Sequence, residues 1–571
     1  MSNELGIDRS GNGNNFTVNN MTVADQVVDS PTNNFCTMNP LEGSANGTYS
    51  EGNLRIQTPN YPFGKGTFHV SAGKWYWEWT HHSGTYNTYT GIGNDLRVAT
   101  AETHNTANTQ AWLGNAAALK KWSSTSGYDA GTLAINDIIG IAVDLDNGSI
   151  KFYINNTLVG TDNTLPAGTT VTPLLGGSND GTSGSGWGDI TFNFGQDSSF
   201  SGFKTAQGNQ DGNDIGDFYY TPPTGFLALC SKNLPDVDVT PSEHFNTVLY
   251  SGNGADDRAI TVGFQPDWTW VKTRSHAQSH RLYDAVRGAD RALVSDTTQA
   301  EFSGSADELQ SFDTNGFTMD DGFNQSGYNY VAWNWKANGS GSSNTNGSIN
   351  TTATSANVDA GFSISTYTGN GTAGATIGHG LSKVPELLIF KRRDGAGNSW
   401  DVYHEDMGNT GYLLLDSTNA KATSAWLNNT SPSSSLVTVG NFSDSNASGN
   451  TYVMYAFHSV DGYSKVGSYT GNGSTDGTFV YTGFKPAFIL HKKTNGSANW
   501  IMTDAIRNTS NPVGKYLMPN SSNAEADGTS FFDYTSNGFK LRTSGGGQNG
   551  SGDTHIFIAF AETPFKYSNA R

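Results

Sequence analysis

The chain has 571 residues, which at roughly 150 residues per domain predicts about four domains and argues against a single core. Its 69 Gly and 17 Pro stay below the level of a disordered chain, and 15% charged against 12% aromatic residues leaves too few Lys and Glu to solvate helices. The composition predicts an all-β protein with a Ser/Thr/Asn/Gly surface, while a net charge of −19 without any Lys/Arg cluster argues against nucleic acid, and no apolar run approaches a membrane-spanning helix.

Residues 1–45 form a polar leader without the basic and apolar regions of a secretory signal, so an outward-facing role needs another exit, such as a particle released by lysis. Phe16, Met21 and Phe35 stand in it as isolated apolar plugs, which predicts a segment that orders on neighbouring proteins. Cys36 and Cys230 are too few for a disulfide framework; two buried thiols or one disulfide both fit the sequence.

Residues 46–205 carry the pattern of a β-sandwich. Gly73-Lys74-Trp75-Tyr76-Trp77-Glu78-Trp79 alternates a core face of three tryptophans with an outer face. Ile138 to Asp144 and Ser149 to Asn155 read as a hairpin around Asp144-x-Asp146-Asn147-Gly148, which resembles the start of a calcium loop but has Asn155 where the closing glutamate belongs, so a plain turn is expected. Gly184 to Gly188 is a glycine loop with no helix after it to cradle phosphate. Tyr86, Tyr89, Trp112, Trp122 and Trp187 fall in loop-like surroundings, where aromatic faces can stack on sugar rings; they are the candidate surface-binding residues, set against the alternative that each packs under its own loop.

The Gly-Lys-Trp-Tyr-Trp-Glu strand, Gly91-Ile92-Gly93, the Asp144 to Asn155 hairpin, Pro173-Leu174-Leu175 and Ile190-Thr191-Phe192-Asn193-Phe194-Gly195 together resemble the SPRY family across roughly residues 60–200. The resemblance implies a lectin-like sandwich that presents loops for binding and has no enzymatic chemistry of its own.

A connector, 206–244, leads into three repeats. Tyr250-Ser251-Gly252-Asn253-Gly254 recurs as Tyr367-Thr368-Gly369-Asn370-Gly371 and Tyr469-Thr470-Gly471-Asn472-Gly473, each a strand running into an Asn-Gly turn. At 16, 18 and 17 residues beyond these tyrosines, Pro266, Pro385 and Pro486 open apolar strands that end at Lys272, Lys391 and Lys492. Alternating aromatic strands starting at Tyr330, Tyr452 and His555 close the copies. Three tandem β-sandwich modules are therefore predicted at 245–336, 362–458 and 464–571, the first two separated by a Ser/Thr/Asn/Gly linker, 337–361, and the last two stiffly paired.

Catalytic candidates are weak. Asp401, His404, Glu405 and Asp406 cluster, but the other copies keep only Asp284 and Asp504 there, so a solvated edge is expected rather than a glycosidase pair or metal site. No Gly-x-Ser-x-Gly elbow sits between strand and helix. The expectation is a protein without catalytic residues, metal or cofactor.

The Asn-rich leader, the SPRY-like domain, Tyr220-Thr221-Pro222-Pro223-Thr224-Gly225-Phe226 and the tandem modules together resemble large virion proteins of marine tailed bacteriophages. In many such chains a laminin-G-like domain precedes the segment matching Gly11 to Thr17; here Met1 lies just before it, which implies a chain lacking that domain. The resemblance implies a tail fibre or appendage subunit on the virion surface, assembled in the host cytoplasm. It implies a homo-oligomer held to other virion proteins through the leader, with a host-surface glycan or protein as its outer partner. A decorating protein without receptor binding is the alternative, and a surface-polysaccharide depolymerase a more distant one.

Overall fold

The structure is a computed structural model that describes residues 5–8, 11–19, 28–30, 32–43, 47–58, 63–84, 88–94, 110–114, 118–120, 127–129, 133–177, 188–303, 308–528 and 530–568. The chain is all-β and divides into two compact units, 1–235 and 236–571.

The first unit holds two antiparallel sheets. One runs in the order Thr48–Ser50, Arg55–Thr58, Gly188–Asn193, Lys74–Gly84, Ile138–Asp144, Ser149–Ile154, Thr157–Asp162. The other runs Phe63–Lys65, Val171–Gly177, Thr88–Asn94, Gln110–Gly114, Ala118–Lys120, Gly127–Asp129. Trp75, Trp77 and Trp79 are all buried, as their alternation predicts, together with Ile139, Ile141, Ile190 and Phe192 from the flanking strands.

The face expected to be outer is buried too. Tyr76 joins Phe35, Ala142, Ile215, Phe218, Phe226, Ala228 and Cys230 in a second cluster, and Leu227–Ala228 adds to Lys74–Gly84 as a parallel strand. Thus the connector of the sequence reading is a cover for the sheet. Glu78, on the same face, takes hydrogen bonds from the amides of Tyr219 and Tyr220, from Asn193 Nδ2 and from Tyr76 Oη, which repay the cost of an interior carboxylate. Burial pushes its pKa up to about 7.

The leader also departs from expectation. Phe35, Cys36 and Met38 lie in this unit's own core, whereas Phe16 is 79% exposed and Met21 lies outside the described residues. Phe35 pairs with Cys230, and Cys36 N donates to Leu229 O, so a short leader segment is stitched to the cover. Both cysteines are free and buried; burial pushes their thiols up to about 12 and about 11. Deleting residues 1–40 should therefore unfold the first unit, because removal of Phe35 and Met38 costs about 2–5 kcal/mol for each large core side chain; calorimetry of the truncated chain that shows the second unit's transition alone checks this, whereas deletion of 1–27 should leave the first unit's transition intact.

The second unit repeats one strand order three times. In the first module, Phe245–Ser251, Asn329–Trp335, Trp268–Thr273 and Arg281–Asp284 are adjacent; in the second, Phe362–Thr368, Thr451–Phe457, Leu387–Arg392 and Trp400–His404; in the third, Ser464–Thr470, Thr554–Pro564, Phe484–Lys493 and Ile501–Asp504. Each module backs this inner sheet with a smaller one, such as Arg258–Thr261 with Gly316–Met319 and Leu309–Asp313. Between the two sheets lies a core for each module, around Tyr250, Tyr367 and Tyr469 respectively.

The recurring turn is architectural. Tyr250, Tyr367 and Tyr469 donate through Oη to the carbonyls of Phe323, Ser445 and Gln548. The next residues, Asn324, Asn446 and Asn549, are buried and take the amides of Asn253, Asn370 and Asn472 on Oδ1. A Cβ at Gly252, Gly369 or Gly471 would meet a backbone oxygen at 1.9, 2.5 or 2.4 Å, and Gly254, Gly371 and Gly473 hold φ near +70°, so both glycines of the motif are demanded by geometry.

The modules are not beads on a linker. The other face of each inner sheet turns onto a shared core containing Trp268, Trp333 and Trp335 of the first module, Phe362, Tyr455 and Phe457 of the second, and Phe488, Ile558 and Phe560 of the third. Within it Trp268 lies 4.6 Å from Tyr455, and Phe245 lies 4.9 Å from Phe560, centroid to centroid. Residues 337–361, expected as a linker, are likewise folded: Ala353–Asn357 pairs with Phe362–Thr368, and Ile349 is buried beside Ile377. Their Ser and Thr side chains satisfy turn backbone, as Ser343 Oγ donates to Thr351 O and Thr351 Oγ1 accepts from Asn344 N, which is how an apolar-poor segment holds a fixed course. Trp400→Ala, at one seam of this core, should cost about 3–5 kcal/mol and lower the melting of all three modules in a single transition; differential scanning calorimetry that resolved one module melting alone would contradict the shared core.

Candidate functional site

Of the aromatic residues expected to bind, Tyr86, Trp122 and Trp187 lie outside the described residues, as does Gly184. Tyr89 and Trp112 fall not in loops but on the paired strands Thr88–Asn94 and Gln110–Gly114, opposite Gly114 and Gly91. Asp144 and Asp146 do not converge. Asp144 takes Lys74 Nζ at 2.9 Å and both nitrogens of Asn147, while Asp146 accepts from Gly73 N, so the pair ties the hairpin to the neighbouring strand.

The polar residues of the second unit gather at three seams related by the repeat. The side chain that opens the fourth inner strand reaches across each seam: Trp400 Nε1 donates to Val294 O at 2.9 Å, Trp500 Nε1 to Leu414 O at 2.9 Å, and His280 Nε2 to Met518 O at 3.0 Å. Trp270 Nε1 donates to His280 Nδ1, which fixes the tautomer that leaves the proton on Nε2. The amides of Gly397, Ala498 and Gln278 add bonds to the carbonyls of Thr298, Thr418 and Ser522, and those of Glu301, Lys421 and Glu525 to the carbonyls of Arg393, Thr494 and Arg274. First to third module, third to second and second to first, the set is cyclic.

Among the described residues, ion pairs are added at two seams. Asp284 pairs with Arg287, both fully buried, and Arg287 also reaches Glu301, which takes Arg393 of the next module through two bonds of 2.9 Å. Asp504, Arg507, Glu525 and Arg274 repeat this chain between third and first modules. These arginines hold Glu301 and Glu525 below the usual carboxylate range against the opposing effect of burial. Tyr455 Oη and Trp333 Nε1 complete the two networks by donating to Asp284 and Asp504.

The seam between second and third modules has His404, Met407, Lys421 and Thr494 at the corresponding positions. His404 takes Asp406 N on Nδ1, its Nε2 makes no hydrogen bond, and it borders a small apolar cavity lined by Leu387, Val402, Leu490, Trp500 and Ile558. The sequence cluster Asp401, His404, Glu405 and Asp406 is therefore divided. His404 faces the seam, Glu405 and Asp406 are exposed, and Asp401 is buried on the side facing Asp416, Asp444 and Lys391. The solvated edge expected from sequence applies only to Glu405 and Asp406.

Sequence reasoning missed the three strand-end lysines as interior groups. Lys272, Lys391 and Lys492 are buried with Nζ on carbonyls of Thr273, Asn398 and Lys493, and burial lowers each to about 8. It also missed His491 and His555, buried side by side in the third module where the others have Val271 with Tyr330 and Phe390 with Tyr452.

Burial lowers His379, His404 and His555 to about 4 and His491 to about 3, against an ordinary 6.5. Above pH 6.5 these groups are neutral folded or unfolded; below it the unfolded chain takes protons that the fold refuses, so stability falls between pH 6.5 and about 4, by about 1.4 kcal/mol per pH unit per histidine. His82 and His280, lowered by burial as well, add to the loss, whereas Glu78 and Glu405, which burial pushes up to about 7, and Asp401, which burial and its carboxylate neighbours push up, work in the opposite sense. Urea midpoints at pH 7.5 and pH 5.5 should show a net loss, and His555→Tyr with His491→Phe, the residue types of the second module, should make it smaller.

Residues 240–564 match the family described as a domain of unknown function, DUF7483, and the chain belongs to that family. Among solved structures it is similar to the TRIM65 PSpry domain, with 14% identity over 28% of this chain and 89% of that one at a TM-score of 0.23. It is similar also to the SPRY domain of human HERC1, with 14% identity over 27% of this chain and 96% of that one at 0.23, and to stonustoxin, with 17% identity over 28% and 27% at 0.21. No curated protein sequence matches the chain.

Proposed function

We propose that this chain is a non-enzymatic structural protein of a bacteriophage particle, an appendage subunit whose three fused modules form a stiff body and whose N-terminal sandwich meets the host surface. The observation that carries the reading is where the repeated side chains are used: the tyrosines, asparagines and glycines of the turns and the ring donors of the seams all serve closure of the body. Among the described residues, no reactive set is repeated with them. A body built to hold shape suits a spacer or a display platform better than a catalyst.

The order of leader, sandwich and tandem modules, which resembles marine phage virion proteins, supports the particle assignment. Attachment to other virion proteins falls to residues 1–27, since Phe35 is committed to the first unit while Phe16 is exposed. Host contact falls to the aromatic candidates of the sequence, Tyr86, Tyr89, Trp112, Trp122 and Trp187. Each stacked ring contributes about 1 kcal/mol, so useful affinity comes from many copies in a homo-oligomeric array.

Immunogold labelling of purified particles should find the chain on the virion surface, and particles carrying Trp112→Ala with Trp187→Ala should adsorb to host cells several-fold more slowly. Labelled particles with unchanged adsorption would make the protein a decoration; absence from particles would overturn the assignment.

A further inference from the structure

Lys391, Asn398 and Asp444 are brought together inside the second module. Lys391 is buried at the end of Leu387–Arg392, with Nζ 2.5 Å from the backbone oxygen of Asn398. The carboxamide of that same asparagine is held by Asp444, whose Oδ1 accepts from Asn398 Nδ2 at 2.6 Å. We propose that Lys391 and Asn398 form an intramolecular isopeptide bond, assisted by Asp444, that closes the hairpin between Leu387–Arg392 and Trp400–His404.

The step is a transamidation and balances without a co-reactant. The lone pair of the uncharged Lys391 amine forms the bond to Asn398 Cγ, and the carbonyl pair moves onto Oδ1. Asp444, already on Nδ2, carries a proton from the attacking nitrogen to the leaving one. The Cγ–Nδ2 bond then breaks, the carbonyl re-forms, and one ammonia departs. No atom is oxidised or reduced.

Two environmental effects favour it. Burial lowers the lysine to about 8, so a useful fraction of the amine is uncharged at neutral pH. The interior also fixes amine and amide near each other, which replaces a slow bimolecular encounter with an intramolecular one.

The sibling modules lack the set. The third has Lys492 and Asn499 at the matching positions, but Gly547 stands where the second has Asp444, and Lys492 Nζ turns to Lys493 O while Asn499 Oδ1 is taken by Asn520. The first has Lys272 with Ser279, which offers no carboxamide. Lys492 and Asn499 are thus a control within the same chain. The proposal stands apart from any role in a particle.

The test is the intact mass of the full chain under denaturing conditions, followed by tryptic mapping. The expected result is a mass below the sequence mass by one ammonia, no cleavage after Lys391, and a branched peptide joining it to Asn398, with Lys492 and Asn499 unlinked. Asn398→Ala, Lys391→Met and Asp444→Asn should each restore the full complement of ammonia. The complete sequence mass in the wild-type chain would overturn the proposal, as would an ammonia loss that persists in Lys391→Met, which marks cyclisation of Asn398 onto its own backbone.

Discussion

A ring N–H donated to a strand carbonyl of the adjoining module, made by Trp400, Trp500 and His280, is the contact on which the second unit depends. Each donor stands at the start of a strand whose alternate residues face the shared core, so the bond fixes both the distance and the rotation of one inner sheet against the next. A chain of three such contacts closes only if all three modules keep the same strand order and register. This accounts for the fidelity of the repeat in the turns: the Tyr–carbonyl and Asn–amide bonds hold each module's own sandwich in the shape that closure requires.

The sharing of one core also settles why modules of about a hundred residues, large enough to fold alone, do not behave as separate domains here. Trp268, Trp333, Trp335, Phe362, Tyr455, Phe457, Phe488 and Phe560 would present a large apolar face if any module stood by itself. The face is continuous because inner-sheet residues alternate between the module's private core and the common one, which makes these strands apolar on both sides. Trp268–Thr273 is buried at all six positions.

This double burial explains what was and was not legible in the sequence. The three copies and the tryptophan face of Lys74–Gly84 were legible because repetition and period-two alternation are local patterns. The closure was not, since Val294 with Trp400 or Met518 with His280 are pairings between copies, and the histidine in the first module hides its equivalence to two tryptophans. Polar composition misled at residues 337–361 and 209–230, where Ser, Thr, Asn and Asp side chains satisfy turns instead of solvating a loop. Lys272, Lys391 and Lys492 read only as the basic ends of apolar strands, yet a lysine whose stem crosses an apolar sheet can end on carbonyls in the interior. Of the candidate site, Asp401 and Asp406 were chosen as neighbours in sequence, but a strand sends them to different environments.

The three seams differ in a way that follows from connectivity. Between first and third modules no peptide linkage exists, and there the full set is present: the Arg274–Glu525 and Arg507–Asp504 pairs, the Trp333–Asp504 bond and an extra donation from Ser295 Oγ to Pro519 O. Between first and second, joined through residues 337–361, the Arg393–Glu301 and Tyr455–Asp284 contacts are kept. Between second and third the chain passes from Phe457 to Ser464 directly, and this is the seam that has His404 and Ile558 in place of the buried carboxylate and its donor. A short tether holds its partners at high effective concentration, so that seam needs less non-covalent binding. Buried charge, which is costly unless fully paired, stands where orientation has to be specified without that help.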